Sequence, residues 1–243
     1  MTEPTSTEKA PGLLARIIGV IVSPKATFEK IVTAPRVLGV ILIAGVLIGL
    51  SQGLPRLTES GSQAALDAQV KQTERFTGRP VTDEQYAQMQ RFAPTMAYGT
   101  MIFTPVVMAI IVLVFSGLYF VVFNVILGGT ATFKQVMAVT AHSSIIYALG
   151  AVIGAPVQYL QGTANPAGPF TLSALLPMLD ENGFAARFLG FINVFSIWGV
   201  IVTAIGLAVL YRRKTSSIAI GLFVLTAIFA TVGAVVTGIF AGR

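Results

Sequence analysis

The chain has 243 residues, of which 54% are hydrophobic and only 11% charged, with a formal net charge of +6 and no cysteine. A soluble domain carries about 25% charged residues, so a water-soluble globular class is excluded. Without cysteine there are no disulfides, no thiol catalysis and no Cys-based metal sites. Lys, Arg, Asp and Glu are missing from five apolar runs, residues 37–54, 98–127, 136–160, 188–211 and 218–240. Each is long enough for a helix crossing a hydrocarbon core of about 30 Å. A charge at the centre of such a helix costs about 2.5–3.5 kcal/mol even on the milder scales. A transmembrane barrel would show stretches of about 10 residues in dyad alternation, whereas residues 106–115 are continuously apolar. The expected fold is all-α: a polytopic membrane protein with five transmembrane helices, interfacial N-terminal helices and a small helical extracytoplasmic loop.

In chain order, residues 1–11 read as a polar tail, and residues 12–243 as one membrane domain. No cleavable signal peptide is read. The run 13–22 is too short to span, contains Arg16 and leads straight into Ser23-Pro24-Lys25, which fits a helix lying in the interface. Ser23 as cap and Pro24 at the first helical position open a second short helix. Over residues 25–33 it would offer Phe28 and Ile31 to the membrane, with Lys25, Glu29 and Lys30 toward water. The first span carries Gly45-x-x-x-Gly49, a close-packing signal for a neighbouring helix or for a homo-oligomer. Residues 55–97 form the largest loop: a helix over 62–76, a break at Gly78-Arg79-Pro80, then Thr82 and Gln85 as a capping box for a helix to about Phe92. The second span contains Pro105, expected to kink it, and Gly128-Gly129-Thr130 turns the chain. The third span carries Gly150-x-x-x-Gly154 and Pro156. After a loop at 161–170, residues 172–179 read as a short interfacial or re-entrant helix, and the fourth and fifth spans follow as a tight pair. No repeat of fixed period is present.

Five spans put the termini on opposite sides. With the N-terminus in the cytoplasm, Lys9, Arg16, Lys25, Lys30, Arg36, Lys134, Arg212, Arg213 and Lys214 lie inside, nine cations against three acids, and the outer side balances at seven against seven. Arg212-Arg213-Lys214 lies in a short turn, where the positive-inside rule is strongest. The expected setting is the inner (cytoplasmic) membrane, with the N-terminus cytoplasmic and the C-terminus extracytoplasmic. Arg16, Lys25, Lys30, Arg212, Arg213 and Lys214 are candidates for contact with anionic lipid or a protein partner. Nucleic-acid binding is excluded, because the cations are spread along membrane edges without interleaved aromatics.

Polar residues inside the spans are few. His142, the sole histidine, stands in Thr140-Ala141-His142-Ser143-Ser144; Asn124, Gln158 and Asn193 are the other strongly polar candidates. An intramembrane ionisable residue is a functional-site hypothesis by default, yet no span holds an Asp or Glu to exchange a proton with His142, and no second His completes a metal site. Hydrogen bonding between helices is the competing structural role for all four. Walker-type loops, HExxH and paired intramembrane aspartates are absent, so no catalytic residue and no cofactor is assigned.

Three stretches stand out together: Ser23-Pro24-Lys25-Ala26-Thr27-Phe28-Glu29-Lys30-Ile31, then Gly129-Thr130-Ala131-Thr132-Phe133-Lys134-Gln135 with Val139-Thr140-Ala141-His142-Ser143-Ser144. The third is Phe191-Ile192-Asn193-Val194-Phe195-Ser196-Ile197-Trp198 with Gly206-Leu207-Ala208. In this order they resemble the bacterial branch of the Yip-domain membrane family. The resemblance implies a five-helix membrane domain with a cytoplasmic N-terminus. It also shows a departure: Ile145-Ile146 stand where the family often has a proline. Two functions are open. One is a non-enzymatic scaffold, partner-binding or membrane-organising module; the other is a small-solute transporter or channel with Asn124, His142 and Asn193 lining a polar pocket.

Overall fold

The computed structural model describes residues 11–165, 168–176, 178–180 and 183–241; apart from Pro11, the expected tail lies outside them. Among the described residues there is no strand, and five helical segments are long and apolar enough to cross a membrane. The protein is an all-α polytopic membrane protein.

Two short helices open the chain, α1 (Leu13–Val22) and α2 (Pro24–Thr33). Pro24 takes the first helical position as expected, but Ser23 makes no side-chain cap. The membrane-facing role expected for α2 is corrected: Phe28 and Ile31 have no exposed surface, and α2 packs on the third and fourth spans. The Phe28 ring reaches Gly206, where an added Cβ would stand 3.0 Å from the ring and collide with Val139 Cγ1. Lipid and protein interior are equally apolar, so an amphipathic face alone does not tell which one it meets.

Helix α3 (Leu38–Gly53) lies against α5 (Asp83–Phe120) along Gly45, Gly49 and Gly53. A Cβ on Gly45 would fall on the backbone of Pro105, and one on Gly53 would stand 2.9 Å from the Ala97 carbonyl. The glycine motif is therefore used inside the chain, for backbone-to-backbone approach.

Between these helices stand a 3₁₀ turn at Pro55–Leu57 and α4 (Glu59–Thr77), capped by Thr58 and ended by Gly78 at φ 66°. The Thr82–Gln85 capping box forms. The helix it opens does not stop near Phe92: α5 runs 38 residues, through Pro94 and Pro105. At a rise of about 1.5 Å per residue it measures about 57 Å, so its first turns stand beyond the hydrocarbon. It ends in a π-type stretch, Val121–Ile126, with an i to i+5 bond from Leu127 N–H to Val122 O at 3.1 Å.

The third span is two helices, α6 (Phe133–Ser143) and α7 (Ile145–Gln161). The break falls at Ser144, whose hydroxyl donates back to Ala141 O at 2.7 Å and whose carbonyl accepts from both Tyr147 and Ala148 N–H. Serine back-bonding of this kind bends helices, and here the span is interrupted at Ser144 with Ile145 and Ile146, not a proline, following it. In its most apolar window this span is 56% buried, against 22% for the second and fifth. It forms the centre of the bundle, while the second and fifth spans present most of their surface to lipid.

No helix forms in the described part of 172–179. The chain there turns, with Thr171 paired to Asn193, Leu172 N–H on Ile192 O at 2.8 Å and Val194 N–H on Phe170 O at 3.0 Å. The Thr171 hydroxyl takes the Ala174 N–H, a local bond that competes with a helical one. Helix α8 (Phe184–Gly190) is separate from α9 (Val194–Tyr211), so the fourth span begins six residues later than position 188. The cause is Asn193, which caps α9 through Phe195 N–H and closes a box with Ser196. Helix α10 (Thr215–Ala241) is the last of the described elements.

Candidate functional site

At one end of the bundle the helices are tied together by polar bonds. The Asn124 amide donates to Ala131 O and accepts from the Tyr211 hydroxyl at 2.7 Å, and Tyr211 stacks on Phe123 with centroids 5.0 Å apart. Gly129 lies beneath that ring, where a Cβ would collide with it. Arg213 donates to Leu127 O at 3.3 Å, and Gln135 donates to Val32 O at 3.0 Å, fixing the end of α2 to the start of α6. Asn124 is thus fully engaged in joining the second span, the following turn and the fourth span.

Around this clamp the side chains of Lys25, Lys30, Arg36, Lys134, Arg212, Arg213 and Lys214 are exposed, with Glu29 the one acid on the same elements. The α9–α10 turn holds its three cations in a fixed frame. Arg212 ends α9 in the left-handed region at φ 52°, and its successor's N–H returns to Ala208 O at 3.1 Å.

Arg16 is not among the exposed cations. It is 1% exposed, and its guanidinium donates to Pro11 O at 2.9 Å and Ala34 O at 3.0 Å. It joins the start of α1 to the segment after α2, which removes it from the lipid-facing set. Burial first, and Arg36 second, lower its pKa. His142 lies within electrostatic range of Arg16 and is itself fully buried. Its Nδ1–H donates to Ala138 O at 2.8 Å, leaving Nε2 unpartnered, as are Arg16 Nη2 and Ser143 Oγ. The signal for Arg16 was in the sequence, as the one charge in the apolar run Leu13–Val22.

The remaining two polar candidates meet at the opposite end. Gln158 and Asn193 line a cavity of about 310 Å³. Its wall is built from the end of α3, one face of α7 from Tyr147 to Tyr159, residues 162–165 and 168–170, the start of α4 and the first turn of α9. Sequence reasoning did not pick out its other polar members, among them Gln52, Arg56 and Tyr147; they become neighbours only through packing. Asn124, His142 and Asn193 therefore stand in three separate places and do not line one pocket. No cluster of three or more His, Cys, Asp or Glu groups is found among the described residues.

Comparison with known proteins completes the assignment. The chain is similar to "Membrane protein YknW" of Bacillus subtilis (strain 168), 28% identical over 210 residues, which cover 84% of this chain and 79% of that protein. No solved structure matches. The Yip1 domain model matches residues 18–237, nearly the whole chain, and the protein belongs to the Yip1 domain family of membrane proteins.

Proposed function

We propose that this protein is a non-enzymatic scaffold of the inner membrane that recruits an acidic protein partner through its basic end, which faces the cytoplasm. One observation carries the reading. Among the described residues, seven exposed cations and a single acid lie on the elements at the end of the bundle where Arg213 and Asn124, itself held by Tyr211, bond the Leu127 and Ala131 carbonyls. Rigid presentation lowers the cost of ordering side chains on binding, and a one-sign surface steers an oppositely charged partner. The separation of Asn124, His142 and Asn193 weighs against the solute-pathway reading. The test is crosslinking and pull-down from native membranes, with the wild-type chain and with Arg212, Arg213 and Lys214 all changed to Gln. A specific acidic partner lost from the triple variant is the expected result. Equal capture by both proteins overturns the recruiting role of this face.

A further inference from the structure

The two short helices at the start of the chain pack on each other, yet their exposed sides are of opposite kinds. They run antiparallel: Thr27 lies on Gly19, and Arg16 ties the start of α1 to Ala34, just past the end of α2. The exposed residues of α2 are Lys25, Ala26, Glu29, Lys30 and Thr33, polar but for one methyl group. Those of α1 are Leu13, Leu14, Ala15, Ile18 and Val22, and no side chain among them has a polar atom. Leu14, Ile18 and Val22 are 70%, 60% and 73% exposed, and their spacing of four sets them on one side of the helix. The opposite side holds Val20 and the fastened Arg16, both buried. An exposed apolar surface of this extent beside a charged one marks two different surroundings.

The place of α1 along the bundle says what surrounds it. Besides α2 it packs on α3, α6 and α7, and Leu13 meets Gly39 in the first turn of α3. The exposed Lys134 marks the water-side start of the third span, and α7 begins eleven residues further on, at Ile145. At about 1.5 Å per residue this is about 16 Å along the span, near the middle of a hydrocarbon layer of about 30 Å. A helix that packs on α7 therefore stands beside the spans and not above their ends. Helix α2 is held at the rim, where Val32 O accepts from Gln135 in the first turn of α6. Two spans separate α1 from the third span, so both start on the same side and the depth is independent of orientation.

We propose that α1 is a re-entrant helix whose Leu14, Ile18 and Val22 side is inserted among the acyl chains of the leaflet on the N-terminal side. This is deeper than the interfacial position expected from the sequence, and α2 alone keeps a charged side in water. The hydrocarbon that covers α1 is continuous with that around Leu38 and Leu42, the exposed side chains of α3 on either side of the Leu13 contact. A charge in that layer is costly. Arg16, the one charge of α1, is turned inward onto two carbonyls, which leaves the outer side free of polar groups.

The experiment uses the wild-type full chain in vesicles of phosphatidylethanolamine and phosphatidylglycerol whose acyl chains carry a diazirine near their midpoint. After illumination, peptide mapping should find acyl adducts on Leu14, Ile18 or Val22, as on the exposed Ile110 and Val114 of the second span, and none on Lys25 or Lys30. Adducts on the second span with none on α1 overturn the insertion. In the same vesicles, Ile18→Cys should react with a water-soluble maleimide roughly tenfold or more slowly than Lys25→Cys, because apolar surroundings hold a thiol protonated. Equal rates put this side of α1 in water and overturn the proposal. Slow reaction without acyl adducts, together with an Ile18→Cys disulfide between two chains on oxidation, gives a second copy as the occupant and overturns it as well. Should a cysteine variant fail to fold, the adduct map of the wild-type chain decides alone.

Discussion

Arg16 and His142 are buried and Asn124 is half-buried, and each makes its own prediction. Arg16 reaches two carbonyls at once, Pro11 from Nε and Ala34 from Nη1, two nitrogens of a planar fork, whereas a lysine carries all its donors on one terminal nitrogen. Arg16→Ala should therefore free the α1–α2 pair, seen as faster amide hydrogen exchange over Leu13–Val22, and Arg16→Lys should restore little of the protection. Hydrogen bonds to charged groups contribute about 1.5–3 kcal/mol each; unchanged exchange would remove Arg16 from this role. Asn124 and Tyr211 share a bond of 2.7 Å across 87 positions. A double-mutant cycle of Asn124→Ala with Tyr211→Phe should show coupling of about 0.5–3 kcal/mol in unfolding, and strict additivity would contradict the clamp. His142 holds only one bond, to its own helix at Ala138. Replacement by Leu, similar in bulk and without an unpaired nitrogen, should cost less than about 1.5 kcal/mol, while His142→Ala should cost about 2–5 kcal/mol for the cavity it leaves. Of these roles, the sequence showed only that the residues were polar in apolar surroundings. Bond partners 18 and 87 positions away are set by how helices cross.

Among the described helices, α3 and α5 share the most extensive packing. Gly45→Ala would press a methyl group into the Pro105 backbone, whereas Gly99, Gly117 and Gly221 have nothing within 4 Å of an added Cβ. Ala at Gly45 should destabilise by about 1–3 kcal/mol, as overpacking does, while Ala at Gly117 should be neutral or stabilising through helix propensity. Thermal unfolding of the two variants side by side decides the matter; equal effects would mean that α3 and α5 do not pack through this stripe. The element boundaries that the sequence located well were those marked by local chemistry: Pro24 at the head of α2, the Thr82–Gln85 box, and the turn at Gly128. Those it missed depend on longer-range bonds. The start of the fourth span moved because Asn193 caps it and pairs with Thr171, and in the described part of 172–179 the expected helix gave way to that same pairing.

For the whole molecule, orientation is the property to test. The chain contains no cysteine, so single cysteines introduced in turn report sidedness directly. Cysteine at Lys25 or Lys214 should react with a membrane-impermeant maleimide only after the cells are opened, and cysteine at Gln69 in α4 should react in intact cells. The reverse pattern would put the basic end outside, where it has no cytoplasmic partner to recruit.

Charge exclusion from five long runs was enough, from sequence alone, to determine an all-α membrane protein with five spans, because the cost of a charge in hydrocarbon is large and local. Family membership was legible for a similar reason, in short motifs whose order persists along the chain. Tertiary structure decided everything that depends on which apolar surface meets which. Phe28 and Ile31 went to the interior and not to lipid, since both media accept them equally. The four intramembrane polar residues divided among a clamp, a buried position inside α6 and a cavity wall, because helix crossings bring together positions far apart in the chain, and no local pattern records those crossings.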